Sequence, residues 1–420
     1  MRSNIEILFW NQASIVRRSW SACLVARVIS RLTLKIIDPI RVGVVGLGRG
    51  FALTAPSALK SEFVDVVAAA APRDESQKAF RSVFQGDAYS TYDQLLSDKS
   101  LEAIHIATPH QLHAEMAIAA AEAGKHVLVE KPIAVSLSDA KRMVDACERN
   151  RVTLIVGPSH SFDGPVLAAK QMIDDGRFGR VLAINTFNYT DFMYRPRRDE
   201  ELRTADGGGV LFSQGAHQFD IVRLLAGAPV SQVYASTGRW DRDRDTEISY
   251  QAMITFANGA VAQCTYSGFG RFDSDELLDW VSETGYEKDP SHYGQSRRSL
   301  RNMTRESEIS AKRSRTFGES QLPDIAPNYE HFGPLIIQCE HADLKIGPSG
   351  ISVYSNFEKE VVPVPLVTSP REPVFKALYD AIRSGTPPIQ SGRWCLGTLE
   401  VCHAVIESSE NRQPCYLSRP

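Results

Sequence analysis

The chain has 420 residues, 43% of them hydrophobic and 23% charged, which is typical of a globular protein large enough for two or three domains. Its 47 basic residues against 50 acidic ones give a formal net charge of −3, which argues against a general nucleic-acid binder. The seven cysteines contain no Cys-x-x-Cys pair, and no apolar run approaches the length of a membrane span. We therefore expect a cytoplasmic protein with reduced thiols and with neither nucleic acid nor membrane as a partner.

Residues 1–40 differ in character from the sequence that follows them. They contain six basic residues and only two acidic ones, a bias that is found in transit peptides. A dispensable extension or an over-extended start is an equally good interpretation. We predict that residues 1–40 are not part of the fold.

Short apolar runs alternate with helical patterns between Arg41 and Pro158. Runs of this form are typical of strands that are buried on both faces of a sheet. Strands that alternate with helices of this length imply right-handed crossovers and a parallel sheet. The sequence therefore predicts a doubly wound Rossmann domain over residues 41–158, with strands near 41–46, 64–71, 101–108, 126–130 and 152–157.

Two of the intervening helices carry start signals. Thr108 and Pro109 have the form of an N-cap followed by a proline at the first helical position. Ser136, with Asp139 three residues later, opens the next helix in the same way.

The pattern changes after residue 158. Two alternating runs around Asn258-Gly259 predict an antiparallel hairpin, and residues 335–347 and 351–355 predict further strands. Helical patterns cover residues 209–225, 374–383 and 395–408. We predict an α+β domain over residues 159–420 with a largely antiparallel open sheet, and a polar, mobile surface excursion at about 284–328.

A glycine-rich turn follows the first predicted strand. Glycines at such a turn let backbone amides approach a pyrophosphate at the N-terminus of the next helix. A phenylalanine stands where the third residue of the usual fingerprint would be glycine or alanine. The candidate cofactor-binding residues of this turn are Gly46, Gly48, Arg49, Gly50 and Phe51.

The end of the second strand lacks the acid that usually bonds a ribose hydroxyl. The chain reads Ala71-Pro72-Arg73 there, and an arginine at this point attracts a 2′-phosphate. Arg73 is therefore a candidate cofactor contact, and the sequence leaves both NAD and NADP open as the cofactor.

Glu130-Lys131-Pro132 leave the carboxyl end of a predicted parallel strand, where open α/β sheets bind their ligands. A lysine at this position is able to hold a substrate hydroxyl and favour its ionisation. By residue type alone, a surface lysine is the commoner interpretation.

The stretch TPHQLHAEMAIAAAEAGKHVLVEKPIA resembles the signature of the glucose–fructose oxidoreductase/inositol dehydrogenase (Gfo/Idh/MocA) family. The resemblance extends over nearly the whole chain from Arg41 onward. It implies that Lys131 lies beside the nicotinamide and the substrate. It also implies cofactor contacts by Thr108, Pro109, His113 and Glu130.

The stretch GGGVLFSQGAHQFDIVRLL is similar to the second motif of that family. The resemblance implies that His217 is catalytic. The family has an aspartate four residues before this histidine, where this chain has Ser213. A serine is able to orient an imidazole but stabilises its cation less well, and a spacing of four places Ser213 and His217 on one face of a helix.

Within the family, the phrases GLGRGFALT, GPSHSFDGP, NYTDFMYRPRR and YSGFGRFDSDEL resemble phthalate 4,5-cis-dihydrodiol dehydrogenases. This resemblance implies NAD(P)-dependent oxidation of phthalate 4,5-cis-dihydrodiol to 4,5-dihydroxyphthalate. His217 would remove the proton while Lys131 holds the hydroxyl. Two alternatives remain open, namely a dehydrogenase of a sugar or cyclitol hydroxyl and a non-catalytic NAD(P)-binding regulator.

An arginine cluster gives the phthalate hypothesis a physical basis. Arginine is well suited to hold carboxylates through paired hydrogen bonds, and phthalate carries two adjacent carboxylates. The candidate substrate contacts are Arg195, Arg197 and Arg198, with Tyr189 and Tyr194 flanking the ring and His160 adding a hydrogen bond. The alternative is a solvated loop.

No convincing metal-ligand cluster is visible in the sequence, so we expect chemistry without a metal. The family resemblance further implies a homo-oligomer that pairs through the open face of the second-domain sheet.

Overall fold

The structure is a computed structural model that describes residues 37–319, 321–366 and 368–417. The predicted extension therefore lies almost entirely outside the described residues. No helix within these ranges combines the length and the apolar character needed to cross a membrane.

Parallel strands form the first sheet, in the order β3-β2-β1-β4-β5-β6. Strands β2 and β3 lie on one side of β1, and β4, β5 and β6 lie on the other. The direction of winding therefore reverses between β1 and β4. A crevice opens at this point beyond the carboxyl ends of the strands. The strands are β1 (Ile40–Val45), β2 (Val64–Ala70), β3 (Asp87–Tyr89), β4 (Ala103–Ile106), β5 (His126–Val129) and β6 (Leu154–Val156).

Helices connect these strands, and the predicted doubly wound fold is confirmed. The helices are α1 (Arg49–Ala58), α2 (Asp74–Phe84), α3 (Tyr92–Leu96), α4 (His113–Glu122) and α5 (Leu137–Arg149). Ser136 caps α5 as predicted, since its hydroxyl accepts a hydrogen bond from the Asp139 amide at 3.0 Å. Thr108 does not cap α4, which begins only after a 3₁₀ turn at His110–Leu112.

The second sheet follows the order β14-β13-β12-β11-β7-β10-β9-β8-β15. Its neighbours are antiparallel except for the pair β7 and β10, so the predicted largely antiparallel sheet is confirmed. The strands are β7 (Val181–Tyr189), β8 (Val230–Gly238), β9 (Ser249–Phe256), β10 (Val261–Ser267), β11 (Leu335–Cys339), β12 (Ala342–Gly347), β13 (Gly350–Ser355), β14 (Lys359–Pro363) and β15 (Cys415–Tyr416).

Helices of the second domain pack against this sheet and against the first domain. They are α6 (Gly164–Asp174), α7 (Ala216–Ala226), α8 (Gln295–Arg301), α9 (Arg305–Arg313), α10 (Glu372–Arg383) and α11 (Gly392–Asn411). Helix α7 is buried along its whole length and is preceded by a π-helical turn at Leu211–Gly215. This turn brings the start of the helix to the crevice of the first sheet.

The segment predicted as a surface excursion, residues 284–328, contains α8 and α9. Just beyond α9, the Phe317 ring is only 1% exposed, with its centroid 5.2 Å from that of Phe51 and 6.1 Å from that of Phe84. Part of the excursion is therefore packed onto α1 and α2 of the first domain, because an aromatic side chain anchors it there.

We expect Phe317→Ala to lower the free energy of unfolding by about 3–5 kcal/mol, the usual cost of emptying a buried aromatic site. Urea denaturation of the purified protein measures this change. Phe357→Ala is the matched control, because Phe357 is 97% exposed and its loss should cost less than about 0.5 kcal/mol. Equal effects of the two substitutions would contradict the packing of the excursion on the first domain.

Candidate active site

A cavity of about 790 Å³ lies in the crevice between the two sheets. Its wall combines the glycine turn, the ends of β2, β4 and β5, the π-helical turn, the arginine cluster and the excursion. This volume is in the range of sites that hold a small molecule together with part of a cofactor.

The glycine turn fits a dinucleotide. Gly46 has a φ of +91°, and a Cβ there would lie 2.7 Å from the Ala107 carbonyl, so β1 and β4 approach closely only because the residue is glycine. Gly48, Arg49 and Gly50 line the cavity at the N-terminus of α1, whose first turn holds no acidic residue. Free amides at such a helix end suit a pyrophosphate.

Two residues predicted to contact the cofactor lie behind this wall. Gly46 does not line the cavity, and its role is the close approach of the strands. Phe51 is fully buried in the aromatic cluster with Phe84 and Phe317. Both therefore lie outside the cavity lining, and their direct contact with the cofactor stays a prediction.

Thr108, Pro109, Glu130 and Lys131 line the cavity, as does Arg73 at its far end. His113 does not line it. Its ring is buried, and the two ring nitrogens lie 3.0 Å and 3.1 Å from the carbonyl oxygens of Pro132 and Thr108. His113 therefore bridges the two loops, and its contact with the cofactor stays a prediction.

Lys131 lies at the centre of the cavity wall. Its Nζ donates to the Ser213 carbonyl at 2.9 Å. Burial lowers the pKa of Lys131, and Arg371 and Arg197 lower it further against the opposing effect of Glu130. The Lys131 ammonium therefore loses its proton at a lower pH than the ammonium of an exposed lysine does.

His217 lines the same cavity, and its Nδ1 faces the Ser159 hydroxyl and the backbone of His160. The His160 backbone N–H donates to Nδ1 at 3.4 Å, and the Ser159 hydroxyl lies 3.3 Å from the same atom. Burial lowers the pKa of His217 well below its ordinary value, and the positive charge of Lys131 adds to this effect. The neutral ring that suits these contacts carries its proton on Nε2.

Ser213 lines the cavity, but its side chain does not orient His217. The hydroxyl donates instead to the Gly209 carbonyl, four residues earlier. A π-helical turn at Leu211–Gly215 alters the helical spacing, so the predicted common face with His217 is not formed. The Ser213 side chain makes no hydrogen bond to His217 in the structure, where Ser159 lies beside Nδ1, and its catalytic role stays a prediction.

His160 lies against His217, with ring centroids 4.6 Å apart, and its Nδ1 is 2.8 Å from Asp163 Oδ2. Burial alone would lower the pKa of His160, but the Asp163 carboxylate outweighs it and raises the pKa. Ligand atoms of His160, Asp163 and Glu330 lie within 4.8 Å of one another and could hold a metal ion. Glu330 is already paired with Arg371 at 2.9 Å, and the expectation of chemistry without a metal stays a prediction.

The three clustered arginines all line the cavity but differ in their partners. Arg197 is buried over the Phe192 ring at 3.5 Å and donates to the Phe192 carbonyl, and burial lowers its pKa to about 10. Arg198 pairs with Glu200 at 3.2 Å. Arg195 contacts Asp191 through Nε at 3.3 Å, and its two terminal nitrogens make no hydrogen bond within the described ranges. Arg195 is therefore the arginine of this cluster whose terminal nitrogens are available to donate hydrogen bonds to a ligand.

The two tyrosines of this segment lie outside the cavity. The Tyr194 hydroxyl donates to Asp241 at 2.6 Å, and its ring lies 3.9 Å from the guanidinium carbon of Arg297. The Tyr189 ring packs near Phe272. Each faces another part of the second domain, and the prediction that both flank the substrate ring stays a prediction.

Sequence reasoning missed several cavity residues. Ser159 lies in the phrase GPSHSFDGP and is found beside His160, so a signal was present. Arg315 belongs to the excursion, and Arg371 precedes α10; no sequence pattern ties either to the site. They reach the cavity only through tertiary folding.

Comparison with known proteins agrees with this architecture. Residues 40–158 match the model of an oxidoreductase family with an NAD-binding Rossmann fold, and residues 166–279 match the GFO/IDH/MocA C-terminal domain. The 1-carboxy-3-chloro-3,4-dihydroxycyclohexa-1,5-diene dehydrogenase of Comamonas testosteroni is 42% identical over 377 residues, covering 88% of this chain and 95% of that protein. The chain belongs to the Gfo/Idh/MocA family.

Solved structures support the same conclusion. A protein from Bordetella bronchiseptica RB50 described as a dehydrogenase is 37% identical, with a TM-score of 0.85 over 90% of this chain and 100% of that one. A levoglucosan dehydrogenase in complex with NADH and levoglucosan shares the fold, with a TM-score of 0.68, 20% identity and coverage of 91% and 100%. This Gfo/Idh/MocA member is thus an oxidoreductase with an NAD-binding Rossmann domain.

The position of the proton on His217 is directly measurable. We expect long-range ¹H–¹⁵N correlation spectra of protein labelled in its ten histidines to show a neutral ring with Nε2–H at pH 6.5, the ordinary pKa. The reason is that burial and the neighbouring cations oppose protonation. His217→Gln identifies the signal by its loss. A protonated ring, or a proton on Nδ1, would contradict the hydrogen bonding described above.

Proposed function

We propose that this enzyme oxidises a ring cis-dihydrodiol that carries carboxylates, and that its substrate is phthalate 4,5-cis-dihydrodiol, converted to 4,5-dihydroxyphthalate. The observation that carries the proposal is the arginine-rich cavity wall, in which the terminal nitrogens of Arg195 have no hydrogen-bond partner within the described ranges, although Glu283 and Asp191 raise the pKa of this arginine. The relative from Comamonas testosteroni, named for a carboxylated dihydroxycyclohexadiene, supports the same chemical class.

Arg195 and Arg315 both line the cavity, although Arg195 belongs to the arginine cluster and Arg315 to the excursion. Arg315 has no acidic partner within the described ranges, and Arg195 has one weak contact with Asp191. Burial lowers the pKa of Arg315, and the charge of Arg195 lowers it further. Two cations that repel each other in a partly buried space are stabilised by an anion between them.

A phthalate ring supplies two adjacent carboxylates for these two arginines. A guanidinium binds a carboxylate through two parallel hydrogen bonds, and the free terminal nitrogens of Arg195 are available for this. A neutral sugar or cyclitol carries no such group. The cavity charge therefore favours the dicarboxylate over the polyol alternative.

Lys131 and His217 are assigned opposite roles from those inferred from the sequence. With Nδ1 accepting hydrogen bonds, the neutral His217 ring presents Nε2–H, which donates to the substrate oxygen. Lys131, whose pKa burial lowers, accepts the hydroxyl proton. The Ser213 carbonyl fixes the position of its amine through the 2.9 Å hydrogen bond.

A nicotinamide cofactor, when held in this cavity, would supply the acceptor for the hydride from the carbon that bears this oxygen. The resulting hydroxy-enone tautomerises to the aromatic diol, and aromatisation makes the oxidation favourable. Gly48, Arg49, Gly50, Thr108 and Glu130 would hold the cofactor along the wall next to Lys131.

We also propose that the protein is a homo-oligomer. The exposed face of the second sheet carries Tyr234, Met253 and Ile336, which are 47%, 52% and 40% exposed. Tyr234 and Met253 are cross-strand partners on β8 and β9. Apolar side chains grouped in this way support pairing through the open sheet face.

The division of roles predicts different outcomes for substitutions of Lys131 and His217. Lys131→Met should lower kcat/KM by about 10²–10⁴-fold, the usual contribution of a general base, and should remove the acidic limb of the pH profile. His217→Gln keeps a donor near the Nε2 position and should retain about tenfold more activity than His217→Ala. Absorbance of the reduced cofactor over a pH series measures both. Equal losses of activity in the two His217 variants, with the acidic limb preserved in Lys131→Met, would contradict this division of roles. They would indicate that His217 is the base and that Lys131 holds the hydroxyl.

Arg195→Ala should raise KM for phthalate 4,5-cis-dihydrodiol and lower kcat/KM by about 10- to 100-fold, because a charge-assisted pair to a carboxylate is lost. The carboxyl-free benzene cis-dihydrodiol should respond much less. Arg180→Ala is the matched control, since Arg180 pairs with Glu340 at the surface. Turnover of a polyol, together with no turnover of the dicarboxylate by the unmodified enzyme, would contradict the proposed substrate.

A further inference from the structure

The adenosine end of the cofactor site is defined by the carboxyl end of β2. Ala71, Pro72 and Arg73 follow this strand and line the cavity. In NAD-binding Rossmann domains an acid at this point accepts a hydrogen bond from the ribose hydroxyl and repels a 2′-phosphate. The first domain of this chain supplies an arginine there instead.

A carboxylate reaches the same place from the excursion. Glu319 Oε1 lies 2.6 Å from Arg73 Nη1, and Arg73 Nη2 donates to the Thr316 hydroxyl at 3.3 Å. The same Glu319 oxygen is 3.7 Å from Arg313 Nε. Since Arg73, Arg313 and Thr316 all line the cavity, Glu319 neutralises the arginines that a 2′-phosphate would use.

The position of Glu319 is fixed by its neighbours in the chain. Phe317 is buried against Phe51, two residues before Glu319. Gly318 has a φ of +86°, and a Cβ there would come 2.7 Å from the Ala79 Cβ of α2. The backbone before Glu319 therefore lies directly against α2, which is why its carboxylate meets Arg73.

The pair is accessible to a ligand. The side chains of Arg73 and Glu319 are 29% and 35% exposed, so a bound ribose can reach the carboxylate. Asp74 and Glu75 follow Arg73 directly at the start of α2 and add further negative charge. A dianionic phosphate placed here would be repelled by these acids, whereas a ribose hydroxyl can donate to Glu319.

We propose that Glu319 determines the cofactor specificity of this enzyme, by supplying from the second domain the carboxylate that β2 lacks and so favouring NAD over NADP. The inference rests on the cofactor class alone and not on the identity of the dihydrodiol. Its failure is therefore distinguishable from failure of the proposed substrate.

Equilibrium binding of NAD⁺ and NADP⁺ to the full chain, measured by isothermal titration calorimetry without substrate, tests the proposal. The unmodified protein should bind NAD⁺ at least tenfold more tightly than NADP⁺. Glu319→Gln keeps the shape of the side chain. It should lower the ratio of the NADP⁺ to the NAD⁺ dissociation constant at least tenfold, mainly through tighter NADP⁺ binding. Glu340→Gln is the matched control, because Glu340 pairs with Arg180 on another surface, and it should leave the ratio unchanged.

Glu319→Gln leaves Arg73 without its acidic partner, so Arg73 becomes able to bind the 2′-phosphate. The double variant Arg73→Ala/Glu319→Gln should therefore bind NADP⁺ less tightly than Glu319→Gln does. A gain in NADP⁺ affinity that persists without Arg73 would overturn the proposal. So would a ratio in Glu319→Gln within twofold of the unmodified protein, or an equal loss of affinity for both cofactors, which indicates a purely structural role. Thermal melting of each variant establishes that the protein is folded.

Discussion

A partly buried hydrogen bond joins the two halves of the site. Lys131 belongs to the loop after β5, and its Nζ donates to the carbonyl of Ser213 in the π-helical turn before α7. The amine therefore keeps its place only while the two domains hold their positions. Burial of this contact also lowers the pKa of the lysine, so the same packing that assembles the cavity sets the chemistry of its central group.

The π-helical turn has a second effect on the site. In a regular α-helix, residues 213 and 217 would share a face, and the serine could bond the imidazole. The wider turn directs the Ser213 hydroxyl back to Gly209, while Ser159 and the His160 amide meet His217 from the segment that follows β6. The departure from the family motif at Ser213 is thus matched by contacts from another segment.

The sequence predicted the fold class and the wall formed by local motifs. Gly48, Thr108, Lys131 and His217 lie within short segments whose local pattern places them at strand or helix ends, and they line the cavity. Strand β7 lies in the middle of the second sheet but was not predicted, although Gly176 and Gly179 stand just before it.

Contacts between distant segments were beyond sequence reasoning. Arg315 and Glu319 lie in a polar stretch whose composition is that of a surface loop, and only the burial of Phe317 brings them to the site. The tyrosines of the arginine segment show that closeness in sequence does not fix the direction of a side chain. Tyr194 is close in sequence to Arg195 but faces Asp241, since a 3₁₀ turn at Phe192–Tyr194 rotates the chain between them.

The anchor at Phe317 has a thermodynamic consequence. Arg315 lies two residues before it, facing the proposed carboxylate site, and Glu319 lies two residues after it, at the ribose end. Under the proposed roles of Arg315 and Glu319, a shift of the anchored backbone would move both side chains together and would couple the free energies of binding the dinucleotide and the ring acid. By linkage, each ligand would then change the affinity of the other by the same factor. The excursion would thereby join the two proposed sites energetically.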